Sequence, residues 1–582
     1  MEKRAILAIV ITFLIIFAWS FIQQQLFPPP SSPPVKEVRK EEVTAPEKKG
    51  EIKKLEPGEG KGARDQKRPG KSKSVIEKEV SVETQNYVAV FTSEDARLKH
   101  FRLKKFEDRV KESPMTISIK GAIQSILGKK QEVIPDPLPL DLVNTGEGGT
   151  LPLGLVLADT DLSSSEGNWE VEKDQIRLLN EGEKGEILFS KTLESGLKLI
   201  KRYRFTSDSY SMDLEVEIQN NSAKEIKDQL GIEWTGKVEL AKLADEGNKD
   251  FGLRYAFLKN NKVETKDLGG TGSAGCTPSC EPQKKTVDPF EISDRGDIRW
   301  FSYGGEYFTV VLIPPSSKDN NLSVKGTEKN LLKAVVAAPS FSLSPQNSVK
   351  FPYRLYLGPK EEGLLKGLGV EAEKIVDFGW FTIVAKPLLW LLKFTNRVTN
   401  NFGIDILILS ILIKVIFLPL TQISMKSMKE MQKVQPEMNR LRETYKNDKA
   451  RLQQEIMLLY KRRRINPMSG CLPMVIQIPV FIALYNALQN AIEMRHAPFF
   501  LWIQDLAAKD PIYVTPIIMG ASMVLQQKMT PTTADPAQAK MFLLMPVMFT
   551  FLFLNFPAGL VLYWLVNNVL SIAHQYYLNK KA

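Results

Sequence analysis

The chain is poor in the residues from which catalytic and metal centres are usually built. Its 582 residues include only three histidines and three cysteines, Cys276, Cys280 and Cys471. So few cysteines exclude a disulfide scaffold and a zinc cage of four thiolates. HExxH, GxSxG and Walker motifs are also missing, which leaves metalloprotease, serine hydrolase and nucleotide-driven mechanisms without support. We therefore expect no catalytic residue, no metal and no cofactor, and we do not expect an enzyme.

Aromatic residues are absent between Phe27 and Tyr87. Most of this gap, residues 28–74, is rich in Pro, Lys and Glu, a composition that cannot bury enough apolar surface to offset chain entropy. We predict a disordered, extended linker there. The excess of Lys and Arg does not indicate a partner of specific nucleic-acid sequence, because the charges are mixed in sign and lack interleaved aromatic residues.

Charge is absent from residues 5–22, directly after Lys3 and Arg4. At about 1.5 Å per residue this run reaches roughly 27 Å, enough to cross a bilayer core. A cleaved signal peptide is the alternative, but its apolar run is usually shorter, and the nearest small-x-small triplet, residues 18–20, lies inside this one. We predict an uncleaved anchor at residues 1–27 with a cytoplasmic N-terminus, following the positive-inside rule.

Residues 75–360 contain many short runs that alternate apolar and polar residues. The runs include 87–91, 187–189, 212–218 and 307–313, and turn clusters lie at 220–222 and 319–321. Many strands at this spacing predict a large β-sandwich. Its one histidine, His100, and its scattered carboxylates form no recognisable catalytic group. Cys276 and Cys280 allow a small-loop disulfide in an oxidising compartment, whereas a reactive pair is disfavoured because neither a CxxC spacing nor a helix start is present.

Long apolar runs dominate the chain after residue 400. Residues 380–398, in a region spanning 361–400, mix Trp and Lys with apolar residues and predict an interfacial helix on the outer surface. Apolar spans are then predicted at 402–420, 471–492, 511–527, 541–556 and 557–576. With the anchor this makes six spans in a polytopic α-helical membrane protein, and an even number returns the C-terminus to the cytoplasm.

The loops between these spans differ in charge. The loop after the second span, within residues 422–466, has twelve Lys and Arg against five Asp and Glu, whereas residues 493–510 have two against three. The positive-inside rule places the first loop in the cytoplasm and the second outside. Both assignments agree with a cytoplasmic N-terminus.

The cytoplasmic loop 422–466 is predicted to form a helical hairpin. Met428, Met431 and Met438 belong to one apolar face, and a second face follows the turn at 446–448. In one interpretation the two faces bury each other. In the other, the methionine-rich face receives apolar peptides, since thioether side chains adapt to many shapes. The basic residues on its other faces suit anionic lipid head groups or ribosomal RNA.

Lys414 is the most informative single residue, because it lies inside the predicted span 402–420. An unpaired ammonium in lipid costs on the order of 3 kcal/mol or more. The other spans contain no Asp or Glu, and Asp405 lies on the opposite helix face. The lysine either snorkels to the inner head groups or faces a water-filled groove open to the cytoplasm. We favour the groove, with Ser410 and Thr421 on the same face.

Polar residues in the other spans fit the lining of such a cavity. They are Gln477, Gln526, Gln527, Tyr563, Asn567, Ser571 and His574. Each alone is compatible with ordinary hydrogen bonding between helices. Together they favour a polar cavity over an all-apolar bundle.

Four stretches of the last third carry a resemblance to a known family. They read NPMSGCLPMVIQIPVF at 466–481, PFFLWIQDL at 498–506, KMTPTT at 528–533 and FPAGLVLYW at 556–564. They resemble the YidC membrane protein insertases of Gram-negative bacteria, which are related to the Oxa and Albino proteins. The resemblance implies a five-span core, here residues 401–582, a periplasmic β-supersandwich at 75–360, and insertion of nascent membrane proteins alone or with the Sec translocon.

The resemblance also implies roles for individual residues. The family usually has arginine in the hydrophilic groove at the position of Lys414, so this chain keeps the charge but loses the planar fork of five donors. By similarity Ser410 and Trp564 lie near that cation in the groove, with Gln477 and Tyr563 as further lining. Trp564 replaces a common tyrosine. Ile478, Pro479 and Phe481 match the surface along which substrates slide.

The sequence thus predicts a multi-pass insertase and chaperone of the bacterial inner membrane. Nascent membrane proteins, the Sec translocon and anionic lipids are its expected partners, with the ribosome a possible partner at the hairpin. A secondary transporter or channel is the alternative, but internal repeats and paired ionisable groups within the spans are not found. A carbohydrate enzyme of the envelope would need a carboxylate pair or metal cluster between residues 75 and 356.

Overall fold

The computed structural model describes most of the chain after residue 76. The described residues are 77–126, 136–146, 149–160, 162, 168–238, 254–268, 289–327, 330–463, 465, 472–529 and 536–580. The predicted anchor, the predicted linker, and Cys276 with Cys280 lie outside the described residues.

Strands fill the described part of the chain up to residue 359. The first are β1 (Glu79–Glu83), β2 (Tyr87–Thr92), β3 (Arg97–Glu107), β4 (Pro139–Asp141), β5 (Gly154–Leu157), β6 (Glu170–Val171) and β7 (Gln175–Arg177). Next come β8 (Lys184–Thr192), β9 (Leu197–Thr206), β10 (Ser211–Asn220), β11 (Ile226–Asp228), β12 (Leu230–Lys237), β13 (Arg254–Lys259) and β14 (Lys262–Asp267). The last are β15 (Phe290–Gly296), β16 (Ile298–Gly304), β17 (Phe308–Ile313), β18 (Asn320–Gly326), β19 (Leu331–Ala337), β20 (Phe341–Leu343) and β21 (Ser348–Pro359).

These strands confirm the predicted β-sandwich. A nine-stranded sheet has the order β14-β13-β16-β17-β21-β10-β9-β8-β6, and two five-stranded sheets have the orders β15-β18-β19-β12-β5 and β4-β3-β2-β1-β7. β11 pairs with β20. Neighbours are antiparallel, apart from the parallel pair β1 and β7. Antiparallel pairing follows from the short turns that separate the alternating runs.

β10 shows why the alternating pattern gives a sandwich. Met212, Leu214, Val216 and Ile218 are at most 1% exposed, while the acidic residues between them point to the other face. The strand pairs along its length with β9 and β21. Burying one apolar face per strand stabilises the sandwich by about 25 cal/mol per Å² of apolar surface removed from water.

Two details of the sandwich differ from the sequence prediction. Of the turn predicted at 319–321, only Asp319 lies outside a strand, with a φ of 54°. Asn320 already begins β18, and its side chain donates to the Ile298 carbonyl at 2.8 Å. The helix α1 (Pro114–Ile126) was not predicted. Its apolar residues do not form a single buried stripe, since Met115, Ile117 and Ile126 are all exposed.

Helices follow the sandwich. They are α2 (Glu362–Lys366), α3 (Thr382–Thr399), α4 (Phe402–Ile416), α5 (Leu418–Lys433), α6 (Gln435–Thr444), α7 (Lys449–Arg462), α8 (Leu472–Asn490), α9 (Val514–Met529), α10 (Pro536–Phe553) and α11 (Ala558–Lys580). Judged by length and hydropathy, no single helix among the described residues is long and apolar enough to span a membrane, whereas α4 and α5 pass that test as a bent pair.

The predicted continuous span 402–420 is broken in the structure. α4 ends at Ile416 and α5 begins at Leu418, with a bend of 60° between them. Pro419 lies in the first turn of α5, where its missing N–H and fixed φ start a helix but cannot continue one. The Asn401 side chain accepts from the Ile404 N–H at 3.1 Å and caps the start of α4.

One buried core runs from the sandwich into the helices. The loop between α8 and α9 contributes to the junction, because Arg495 donates to the Glu107 carbonyl at 2.6 Å and stacks over the Phe308 ring at 5.1 Å. The same loop reaches α11, where Gly559 N–H donates to the Leu506 carbonyl at 2.9 Å. The loop therefore joins the sandwich to the start of the last helix.

Candidate functional site

Lys414 is half-buried in the last turn of α4, and its ammonium donates a hydrogen bond to a hydroxyl rather than to a carboxylate. Its Nζ donates to Ser571 Oγ on α11 at 2.6 Å, and Ser571 Oγ in turn donates to the Asn567 carbonyl at 2.6 Å. The other two N–H groups of the ammonium have no protein acceptor within the described parts of the chain. Lys414 is thus placed among helices with most of its hydrogen-bonding capacity unused.

The polar residues predicted on one face of α11 lie in one row. Asn567 Nδ2 donates to the Tyr563 carbonyl at 2.9 Å. Gln477 Nε2, on α8, donates to the Tyr563 hydroxyl, although the Tyr563 side chain is fully buried. His574 follows in the same row, and its buried Nδ1 has no hydrogen-bond partner in the described residues. The row connects α8, α11 and Lys414 of α4 through hydrogen bonds.

Ser410 and Thr421 make less contact with this row than the sequence predicted. Ser410 is fully buried and its hydroxyl donates to the Ile406 carbonyl of its own helix at 2.7 Å. Thr421 lies beyond the bend, on α5, and donates to the Phe417 carbonyl at 2.8 Å. The continuous helix on which the two would share a face with Lys414 ends at Ile416.

Phe481 and Trp564, predicted separately for the slide and the groove, contact each other. Their ring centroids are 5.2 Å apart at 89°, an edge-to-face arrangement. Phe553 packs against both rings, 5.8 Å from Phe481 and 5.3 Å from Trp564. Ile478 and Pro479 are half-buried one turn earlier on α8. The aromatic cluster of Phe481, Phe553 and Trp564 therefore lies next to the polar row, because Trp564 directly follows Tyr563 in the chain.

The basic loop forms three helices, α5 to α7, because the first predicted arm breaks at Val434. Met438 is 1% exposed and packs with Val434 and Leu459, and the Tyr460 hydroxyl donates to its sulfur at 3.3 Å. This favours the interpretation in which the two apolar faces bury each other around Met438. Met428 and Met431, on α5, remain half-buried.

The sandwich contains a cavity of about 460 Å³ with charged residues in its wall. Glu233 is 2% exposed, and it accepts from Arg97 at 2.9 Å and from Lys333 at 2.5 Å. Burial acts to raise the pKa of Glu233, but the hydrogen bonds and charges of Lys333 and Arg97 together outweigh it and hold the pKa below the usual value. No group of His, Cys, Asp and Glu that suits a metal occurs among the described residues. Glu233 is therefore committed to ion pairs and is not available as a general acid.

Comparisons with known proteins agree over the whole chain. The family model of the 60Kd inner membrane protein matches residues 394–582, and the model of the YidC periplasmic domain matches residues 114–391. Membrane protein insertase YidC of Syntrophus aciditrophicus is 39% identical over 100% of both chains. The same-named protein of Geobacter metallireducens is 36% identical over 100% of this chain and 98% of its own.

A solved structure of an active YidC insertase with its first transmembrane domain resolved is also similar. It has 18% sequence identity and a TM-score of 0.36, covering 86% of this chain and 92% of its own.

A β-sandwich is joined to a set of apolar helices, and the two matching family models describe an inner membrane protein with a periplasmic domain. The identities above 30% over the full length make the assignment specific. The chain belongs to the YidC family of membrane protein insertases.

Proposed function

We propose that this chain inserts nascent membrane proteins into the bacterial inner membrane through a groove centred on Lys414. Its family consists of membrane protein insertases, and the chain is not an enzyme. The observation that carries the groove is the ammonium of Lys414, placed among helices with one hydrogen bond to Ser571 and two donors to spare. Such a cation attracts the acidic or polar flank of a substrate.

The adjacent aromatic surface suits the apolar part of the same substrate. Phe481 and Trp564 present rings beside the polar row, so a segment with one polar end and one apolar end meets both surfaces at once. The apolar part passes along α8, at Ile478 and Pro479, into lipid. Ser410, Gln477 and Tyr563 complete the helix packing around the groove.

The energy for insertion comes from the substrate and the membrane. Burying an apolar helix in lipid is favourable without nucleotide hydrolysis. The membrane potential adds about 2.3 kcal/mol per charge per 100 mV for an acidic flank that moves outward. A groove shortens the hydrocarbon that this flank must cross.

The proposed topology has six spans, with both termini in the cytoplasm and the sandwich in the periplasm. The contact of Arg495 with Glu107 and Phe308 supports it, because the sandwich and the loop between α8 and α9 meet on one side. At the other end Lys429 of α5 donates to the Leu578 carbonyl of α11 at 3.0 Å. This contact places the start of the basic loop beside the end of the last helix.

The proposal also assigns the domain boundaries and the binding partners of the chain. The domains are an anchor at 1–27, a linker at 28–74, the sandwich at 75–360, an interfacial region at 361–400 and the core at 401–582. The hairpin 422–466 meets anionic lipids and the ribosome through its basic residues, with Met428 and Met431 nearest to an emerging peptide. The Sec translocon is a further proposed partner, and the spacing of Cys276 and Cys280 allows a disulfide in the periplasm.

Reversing the charge at position 414 tests the groove. Lys414→Glu is expected to reduce insertion of single-span substrates with acidic outer tails by roughly tenfold, since attraction becomes repulsion. Lys414→Arg keeps the charge and is expected to retain function. The measurement is protease protection of the translocated tail in vesicles containing the purified chain.

Lys227→Glu provides a matched control, because it makes the same change in charge at an exposed position on β11. It is expected to leave insertion unchanged. Normal insertion of the acidic substrate by a stably expressed Lys414→Glu variant contradicts the proposed role of the groove charge.

A further inference from the structure

The hydroxyl that meets Lys414 has a fixed direction. A lysine ammonium only donates hydrogen bonds, so Ser571 Oγ is the acceptor of the 2.6 Å contact with Nζ. The single proton of the same hydroxyl goes to the Asn567 carbonyl, also at 2.6 Å. The proton of Ser571 therefore lies along its own helix, and a lone pair faces Lys414.

Lys414 needs such an anchor more than an arginine would. Its side chain is a flexible four-carbon stem that ends in a point charge, whereas a guanidinium is planar and pre-organised. Without an acceptor inside the bundle, a lysine near the end of a span extends toward the head groups. No other acceptor of its ammonium occurs in the described residues.

We propose that Ser571 is the positioning residue of the groove, holding the ammonium of Lys414 inside the bundle with two N–H groups free for a substrate. This inference rests on the proposed function. Ser571 does not itself contact the substrate; it acts through Lys414. The competing explanation is structural, with the hydrogen bond serving only to join α4 to α11.

Charge selectivity separates the two explanations. Two single-span substrates that differ only in the outer tail, acidic in one and neutral in the other, are inserted into vesicles containing the purified full chain. Ser571→Ala is expected to lower the ratio of acidic to neutral insertion by roughly threefold to tenfold, which is the scale of one ordinary net hydrogen bond. A structural role would lower insertion of both substrates equally.

Ser522 on α9 supplies a matched control. Its hydroxyl also donates to a carbonyl of its own helix, Met519 at 2.6 Å, and also accepts from another helix, from Asn568 at 3.1 Å. Among the described residues, Ser522 has no hydrogen bond with a lysine. Ser522→Ala is expected to leave the selectivity ratio unchanged.

A double-mutant cycle tests whether Ser571 acts through Lys414. In a Lys414→Met background, Ser571→Ala is expected to cause no further change, because the group that it positions is gone. If Ser571→Ala prevents folding, Ser571→Thr and Ser571→Val decide instead, since they match in shape and only Thr keeps the hydroxyl. Thr is expected to preserve the selectivity ratio and Val to lower it.

Equal losses for both substrates, or additive effects of the two substitutions, overturn the positioning role. So does a Val variant as selective as the Thr variant. Failure of the unmodified chain to insert either substrate above the level of empty vesicles is a different result, since it contradicts the proposed function itself.

Discussion

At the scale of single residues, a fully buried lysine and a half-buried lysine differ in how many of their hydrogen-bond donors are used. Lys201 of the sandwich is fully buried and donates to the carbonyls of Asp95, Ala96 and Leu153, at 3.1, 2.9 and 2.8 Å. All three of its donors are used, and burial lowers its pKa well below the ordinary value. Lys414 uses one donor, at Ser571. Lys201 thus stabilises a turn, while Lys414 retains the capacity to bind.

The loop between α8 and α9 contains two titratable residues whose effects on stability oppose each other. Burial and the charge of Arg495 lower the pKa of His496 to about 3. The folded state therefore favours neutral imidazole. The free energy of unfolding falls as pH drops below about 6.5, because the unfolded chain binds a proton that the folded chain does not. Burial raises the pKa of Asp505 to about 6. Its ionisation costs stability as pH rises from about 4 to about 6, because the unfolded chain releases its proton first.

Two substitutions in this loop are expected to change the pH profile in opposite directions. His496→Asn suits the left-handed backbone at φ 57°. Its free energy of unfolding is expected to rise by about 2 kcal/mol relative to the unmodified chain as pH falls from 7 to 5, because the unfolded histidine takes up a proton below about pH 6.5. Asp505→Asn keeps an acceptor for the Ala507 N–H, and it is expected to lose about half of its stability advantage over the unmodified chain in the same interval. Thermal unfolding at each pH measures both. Parallel profiles for all three proteins contradict the assignment.

At the scale of elements, the strands were more predictable than the helices. Alternation along β10 is visible in the sequence because each strand buries one face. α1 has no single buried stripe, so hydrophobic periodicity missed it. The break between α4 and α5 carried a signal in Pro419, but the uninterrupted apolar run from residue 402 favoured one continuous span. The partner of Lys414 depended on how α4 meets α11, which periodicity does not define.

Close packing of α9 against α10 depends on a glycine. A Cβ added at Gly520 would lie 2.0 Å from Thr550 Oγ1, far inside contact distance. Gly520→Ala is therefore expected to destabilise the protein by about 1–3 kcal/mol in thermal unfolding. Adding Thr550→Ala removes the obstructing hydroxyl and is expected to recover most of this loss. No recovery in the double variant contradicts the packing explanation.

At the scale of the whole molecule, charged and hydrophobic residues are distributed unevenly along the chain. Fourteen of the 17 methionines follow Thr421, and the basic loop carries seven of the eleven net positive charges. The loop between α8 and α9 joins the sandwich to the helices through Arg495, and Lys429 of α5 donates to a carbonyl near the end of α11. This polarity fits a protein that receives substrates on its basic side. The charges of the loops predicted this uneven distribution from the sequence. The contacts that join the sandwich to the helices could be seen only in the structure.

Site-specific photocrosslinking from position 414 detects whether a substrate enters the bundle beside Lys414. A photoreactive residue is placed there, and ribosome-stalled membrane protein chains of increasing length are presented to the full chain in membranes. We expect crosslinks from position 414 to the polar flank of the substrate at intermediate lengths, and crosslinks from position 481 to its apolar segment. Control probes at position 227 of the sandwich are expected to give none at these lengths. Crosslinks that are absent from position 414 at every length, while insertion proceeds normally, would contradict the account.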